Sequence, residues 1–263
     1  MIPKIIHYCW FGRNKKPRLL RKCIQSWKKF CPDYQIIEWN EDNYNITAAP
    51  LFVQQAIEAK MWAFASDYIR LSVVHEYGGI YLDTDVELVK SLDGLLDNKA
   101  YFGFEKRDRL RIATGLGFGA EKGAPILREI MGVYEEKGFF RNGEMDQTWN
   151  TIKETEILIK HGANMDGSEQ LLDQYIHIYP ADYFNPRIIS PGVPVQKTKD
   201  TVSIHWYFSS WWTEDKKKLQ KKRRRKRLIR YYIHNMIFPR RFIINLLGHE
   251  NFDRIKKHLK PNK

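Results

Sequence analysis

The chain has 263 residues, 43% of them hydrophobic, which is enough for one sizeable core. No apolar run approaches the roughly 20 residues of a membrane-spanning helix. Its three cysteines all fall within the first 31 residues and show no metal-ligand spacing. The odd count and the lack of a secretory signal fit a reducing cytoplasm, which is the expected setting. The net charge of +13 belongs to one end: residues 216–263 carry 18 Lys and Arg against two acids, leaving 26 basic and 29 acidic residues in 1–215.

In chain order, Lys4–Tyr8 reads as a strand with Trp10 just beyond it, Leu19–Phe30 as a helix and Gln35–Trp39 as a second strand. Gln54–Tyr77 reads as one long helix, because Ile57, Met61, Phe64, Tyr68, Leu71 and Val74 recur every three or four residues. Asp67 and Arg70 are surface neighbours on it, and by spacing alone the plainer reading is an exposed ion pair of little energetic value. Gly78-Gly79 suits a helix C-cap, after which Ile80–Leu82 reads as a short buried strand. Ala100–Phe104 reads as another strand and Pro125–Lys137 as another helix. Alternation of this kind predicts an α/β sheet in a nucleotide-binding arrangement.

The short strand ends in Asp83-Thr84-Asp85. Residues two apart on a strand share a face, so the two carboxylates are expected side by side at the ligand-binding, carboxyl end of the sheet. Two crowded anions need a cation. Hard oxygen donors suit Mg²⁺ or Mn²⁺, which take their remaining ligands from water and substrate phosphates. The pair therefore reads as a site for a metal–diphosphate.

Three segments carry a resemblance: Ile2–Gly12, Ala65-Ser66-Asp67-Tyr68-Ile69-Arg70, and Gly78–Asp85. In that order they resemble the sugar-binding-region, DXD-containing glycosyltransferases, and the chain looks like glycosyltransferase family 32. Relatives there include the catalytic domains of large clostridial toxins and small bacterial capsule enzymes. A fourth segment, His205–Trp212, is similar to the His/Ser/Trp segment near the end of that domain, so the likeness spans roughly residues 1–215. It implies a GT-A-like catalytic domain over 1–215 with a basic helical extension over 216–263. It implies that Trp10 stacks on the nucleobase, and that Asp67, Arg70 and Tyr81 contact the donor sugar and diphosphate. Asp83 would bind ribose and sugar hydroxyls and reach the metal through water, while Asp85 would ligate the Mn²⁺ or Mg²⁺ directly. From the late segment, His205 or Ser210 would complete the metal shell. Trp211 or Trp212 would close over the donor. The toxin-like pattern has an acidic metal ligand at that point, and this chain does not.

Three further stretches are weaker. Thr114–Gly119 is glycine-rich without the Gly-x-Gly-x-x-Gly spacing, and reads as backbone that approaches a ligand closely. Asp146 reads as an acid ahead of a helix, or as an acceptor contact. Tyr179–Pro186 reads as a rigid aromatic loop.

In the tail, eleven cations and no acid lie within Lys216–Arg230, followed by Leu228, Ile229, Tyr232, Ile233, Met236 and Ile237 at helical spacing. This pattern suits an anionic membrane surface; packing of the apolar stripe onto the catalytic domain is the next reading and nucleic acid the disfavoured one. The expected function is metal-dependent transfer of a hexose, with retention, from a nucleotide sugar to a glycan or lipid-linked acceptor. A UDP-sugar is favoured over a GDP-sugar. The setting would be surface polysaccharide synthesis at the inner face of the cell membrane. The alternatives are an inactive, transferase-like binding protein and a nucleotidyl- or phosphotransferase that uses the same acid pair.

Overall fold

The computed structural model describes residues 1–106, 109–141, 143–146, 148–186 and 195–208, together with 222, 225, 226 and 229. The expected donor-closing residues Ser210, Trp211 and Trp212 lie outside the described residues, as does nearly all of the basic extension. Lys222, Arg225, Lys226 and Ile229 within that extension are helical and exposed. The chain divides into two units, Met1–Asn185 with Asp200–Trp211, and Pro186–Lys199 with Trp212–Lys263. All candidate-site residues described below lie in the first.

That unit runs β1 (Ile5–Cys9), α1 (Arg18–Phe30), β2 (Gln35–Trp39), α2 (Leu51–Glu58), α3 (Trp62–Tyr77), β3 (Gly79–Tyr81) and β4 (Val86–Leu88). It continues through β5 (Ala100–Lys106), β6 (Leu110–Ile112), β7 (Phe118–Ala120), α4 (Pro125–Glu135), β8 (Phe140–Arg141), β9 (Glu144–Met145) and α5 (Asn150–Lys160). It closes with β10 (Gln170–Leu172), β11 (Ile176–Tyr179), α6 (Ala181–Phe184) and β12 (Ser203–His205). The main sheet has the order β10-β11-β5-β7-β3-β1-β2, with β6 beside β5. Pairing is parallel at β2–β1, β1–β3 and β5–β11. β7 runs antiparallel to both β3 and β5. This is the expected α/β architecture.

Alternating side chains divide between two core layers, as the pleat requires. Tyr81, Phe102 and Phe104 face the layer built on α2, α3, α4 and α5. Ile80, Leu82 and Tyr101 face the layer that holds Trp27 of α1. Trp27 is fully buried, and its indole N–H donates to the Val86 carbonyl at 2.8 Å. That bond pins α1 to the strand that follows the acid pair.

The single helix expected over Gln54–Tyr77 is instead two. Lys60 adopts φ +58°. Its N–H bonds the Ile57 carbonyl at 2.9 Å and the Met61 N–H bonds the Ala56 carbonyl at 2.8 Å. These are the paired bonds of a left-handed helix stop, a role usually marked by glycine. Lysine leaves no such mark in the sequence. At the far end α3 stops as expected, at Gly78 with φ +69°.

Lys60→Gly is expected to remove left-handed strain and raise stability by about 0.5–1 kcal/mol. Urea unfolding would show this as a higher midpoint with an unchanged slope.

Candidate active site

Three adjacent parallel strands open the site at their carboxyl ends. The ladder continues past each strand: Leu82 N–H donates to the His7 carbonyl at 3.0 Å and Trp10 N–H to the Trp39 carbonyl at 2.8 Å. Trp10, Asn40 and Asp83 are therefore delivered side by side. Asp83 and Asp85 do not share a strand face as expected. β3 ends at Tyr81, and the acids occupy a turn closed by the Val86 N–H on the Asp83 carbonyl at 2.9 Å. The turn crowds the carboxylates by backbone reversal instead of by pleat.

β4 then pairs antiparallel with β12, setting His205 opposite Val86. This pairing carries the late segment to the acid pair across 120 residues of chain. His205 Nε2 lies 3.1 Å from Asp85 Oδ1. The Phe208 N–H donates to Asp85 Oδ2 at 2.7 Å, and the Trp206 N–H to the Asp85 carbonyl at 3.0 Å. The Trp206 indole N–H donates to Glu87 at 2.9 Å, so Trp206 faces β4. Donor atoms of Asp83, Asp85 and His205 lie within 4.8 Å of one another, the only group of this kind among the described residues. Two carboxylates and an imidazole suit Mn²⁺ well and Mg²⁺ through the oxygens alone. His205 Nδ1 is buried without a hydrogen-bond partner among the described residues. The donor set thus fits a divalent cation.

Behind the acid pair sits Arg70, 4% exposed. Its Nη2 lies 3.0 Å from Asp67 Oδ1 and 3.3 Å from Asp83 Oδ1. Its Nε donates to the Ser66 carbonyl at 3.1 Å, and the guanidinium rests 5.1 Å from the centre of the Tyr81 ring. The exposed Asp67–Arg70 pair that spacing favours is therefore buried, because α3 packs this face onto β1 and β3 and not into solvent. Tyr81, 1% exposed, supports Arg70 from below.

Burial pushes the Asp67 carboxyl up to about 7, with Arg70 pulling against it. Burial likewise raises Asp83, again opposed by Arg70. At Asp85 burial also pushes up, but the charge and hydrogen bond of His205 outweigh it and the carboxyl is held low. Burial disfavours charge on His205, and Asp85 more than compensates, so the imidazole is raised.

Gly115 closes the site from the other side. A Cβ there would fall 2.7 Å from Asp83 Oδ2 and 3.2 Å from Arg70 Nη1. The glycine-rich stretch does bring backbone close, and what it approaches is the acid pair. Thr114, which opens the glycine-rich stretch, and Glu154, absent from every motif, join this network: the Thr114 N–H and hydroxyl donate to Glu154 at 2.9 and 2.6 Å. A glutamate one turn before Ile157 and Leu158 on the buried stripe of α5 was the available signal. Asp146 is the acid ahead of that helix, bonded to Thr148 N–H at 3.0 Å and paired with Lys153 at 3.4 Å. Tyr179–Pro186 is largely the end of β11 and the short α6, whose Phe184 packs against Gly103. Trp10 is half-buried at a cleft that it forms with Asn14, Lys16, Glu38, Asn40 and Glu41. Its indole N–H donates to the Asn14 carbonyl at 2.7 Å, and Lys16 Nζ stands 5.3 Å from the ring centre.

Residues 17–102, which include Asp67, Arg70 and both acids of the turn, match the family described as glycosyltransferase sugar-binding region containing DXD motif. About a third of the chain is thus similar to the DXD-containing region of glycosyltransferases. Inositol phosphoceramide mannosyltransferase 3 of Schizosaccharomyces pombe is 30% identical over 136 residues, 49% of this chain and 36% of that protein. Inositol phosphoceramide mannosyltransferase 2 of the same yeast is 32% identical over 99 residues, 36% of this chain and 28% of that protein. The chain thus spans about a third of the length of these relatives. The solved PaToxG glycosyltransferase is 21% identical, with a TM-score of 0.49 over 60% of this chain and 69% of its own.

A carboxyl raised on folding binds its proton at pH values where the unfolded chain has lost it. Stability should therefore fall as pH rises from about 4 towards 7, the interval between the usual carboxyl value and that of Asp67. Asp67→Asn is expected to flatten that fall. Thermal melts of both proteins at pH 5 and pH 8, without added metal, would show it, and parallel pH profiles would refute it.

Proposed function

We propose that the chain transfers a hexose from a nucleotide sugar to a glycan or lipid-linked acceptor, using a divalent cation. The observation that carries this reading is the Asp83, Asp85 and His205 cluster set against Arg70 at the open end of three parallel strands. Asp83, Asp85 and His205 would hold the cation. A bound Mn²⁺ or Mg²⁺ supplies Lewis-acid charge to the departing diphosphate. Arg70 adds a fixed guanidinium that requires no reorganisation as charge develops there. Asp67 is placed to accept a sugar hydroxyl beside it. Trp10, at the ends of β1 and β2, offers its indole to the nucleobase.

We read the transfer as retaining. The bond from the anomeric carbon to the phosphate oxygen breaks, and the acceptor oxygen bonds to the same face. The acceptor proton passes to the departing phosphate. A nucleotidyl- or phosphotransferase would leave phosphate on its product, whereas glycosyl transfer releases a nucleoside diphosphate. The names of the two yeast relatives favour a mannosyl nucleotide and a lipid acceptor as a second donor–acceptor pair, beside the UDP-sugar expected from the sequence. No helix among the described residues is long and apolar enough to cross a membrane. In this reading the basic tail brings the enzyme to an anionic surface where a lipid-linked acceptor lies.

Asp85→Asn is expected to abolish Mn²⁺-dependent stabilisation by UDP-glucose or GDP-mannose while the melt without ligand stays cooperative. Full turnover by this variant at saturating Mn²⁺ would sink the metal assignment.

Trp10→Ala should weaken donor binding by roughly 1–3 kcal/mol, taking base stacking on aromatics as the guide. Titration calorimetry with UDP and GDP would show the loss, and unchanged affinity for both would make Trp10 a packing residue.

The full chain should co-sediment with phosphatidylserine-containing vesicles and be released as salt rises, since each cation near such a surface contributes about 1 kcal/mol. Equal sedimentation with neutral phosphatidylcholine vesicles would count against a role for the tail charges.

A further inference from the structure

Glu154 lies on no motif, yet it is the most deeply buried carboxylate beside the site, 0% exposed in the first turns of α5. Its oxygens receive three donors: the Thr114 N–H at 2.9 Å, the Thr114 hydroxyl at 2.6 Å and the Asn150 side-chain amide at 3.1 Å. A group that only accepts is what such a pocket requires. The Thr114 hydroxyl has a single hydrogen, and it goes to Glu154. Thr114 Oγ1 can then only accept from Arg70, whose Nη1 lies 3.4 Å away. The next residue, Gly115, packs its Cα against Asp83 Oδ2 so tightly that no side chain fits between them.

We infer that Glu154 is a positioning residue. It clamps the Thr114–Gly115 turn onto Arg70 and Asp83 and thereby fixes the guanidinium and the carboxylate in the orientation that meets metal and diphosphate. The inference rests on the transferase reading. The direction of the hydrogen bonds gives the clamp its specificity. A glutamine at 154 can still accept from the Thr114 N–H, but its NH₂ then donates to Thr114 Oγ1. The threonine hydrogen is forced towards Arg70, a donor, and the two repel. A side chain of nearly the same shape should therefore misplace Arg70 without opening a cavity.

Glu154→Gln, Thr114→Val and Thr114→Ser separate positioning from packing. Two readouts apply to each: Mn²⁺ binding followed through the electron paramagnetic resonance signal of the free ion, and hydrolysis of UDP-glucose and GDP-mannose. The clamp predicts that Glu154→Gln and Thr114→Val raise the Mn²⁺ dissociation constant about ten-fold or more, in the range seen for partners that orient metal ligands. It predicts a similar loss in kcat for hydrolysis. Thr114→Ser, which keeps the hydroxyl and loses only the methyl, should stay within about three-fold of the parent in both. The reverse pattern, with Val near the parent and Ser impaired, would mean that Thr114 serves packing and would overturn the inference. So would variants that melt lower yet bind Mn²⁺ and turn over as the parent does. If Glu154→Gln does not fold, the Val and Ser pair decides alone. A parent that neither binds Mn²⁺ nor hydrolyses either donor would fell the transferase reading, and this inference with it. A parent that does both beside variants that match it would fell the inference only.

Discussion

One buried guanidinium organises this site. Arg70 stands where α3 crosses the sheet, and it contacts Asp67 on its own helix, Asp83 after β3 and Thr114 in the turn before β7. Each of those elements packs elsewhere through apolar side chains, so none depends on Arg70 for its existence. Their mutual placement at the open end of the sheet does. A buried cation without carboxylates would be intolerable, and buried carboxylates without a cation equally so, which makes the arrangement collective. The Tyr81 ring beneath the guanidinium completes a support that excludes water from one side and leaves Asp83 facing the other.

The second constraint is topological. A divalent cation needs donors from more than one direction, and a single turn offers two carboxylates at most. Here the third donor arrives by strand pairing: β12 lies along β4, so the chain that carries His205 is registered to Asp85 by backbone hydrogen bonds and not by loop chance. The Phe208 N–H bonded to Asp85 extends that registration past the strand. Trp27 fixes β4 from the opposite layer. The candidate metal site is thus held by main-chain geometry on two sides, the rigidity that a positioned Lewis acid would require.

Much of this was legible because it is written in periodicity and local conformation. The strands, the long apolar stripe of α3 and the Gly78 stop follow from short-range rules, and the acid pair declared itself by following a buried strand. What failed did so for physical reasons. Lys60 takes a left-handed conformation that sequence assigns to glycine, so two helices read as one. Asp83 and Asp85 crowd through a turn, which has no alternation to detect. Spacing presents Asp67 and Arg70 as neighbours on a helix but is silent on whether that face is buried. Glu154 and Thr114 are forty residues apart, and His205 is 120 residues from Asp85. Contacts of that range are settled by sheet order, which no local pattern encodes. A glutamate one turn before Ile157 and Leu158 was the one available sign for Glu154.

The charges also account for why such a site would favour a metal. Four carboxylates, Asp67, Asp83, Asp85 and Glu154, converge on one guanidinium and one imidazole. Even with His205 protonated, acids outnumber cations two to one in a region where uncompensated charge is costly. The protein alone can relieve that excess only by holding protons, and burial raises Asp67, Asp83 and Glu154 accordingly. A divalent cation would answer the same imbalance without protons, and would have to displace any proton on His205 to gain the imidazole nitrogen. Metal and protons therefore compete for one deficit of positive charge. A cation bound there would leave the carboxylates ionised, with Arg70 held in place behind Asp83.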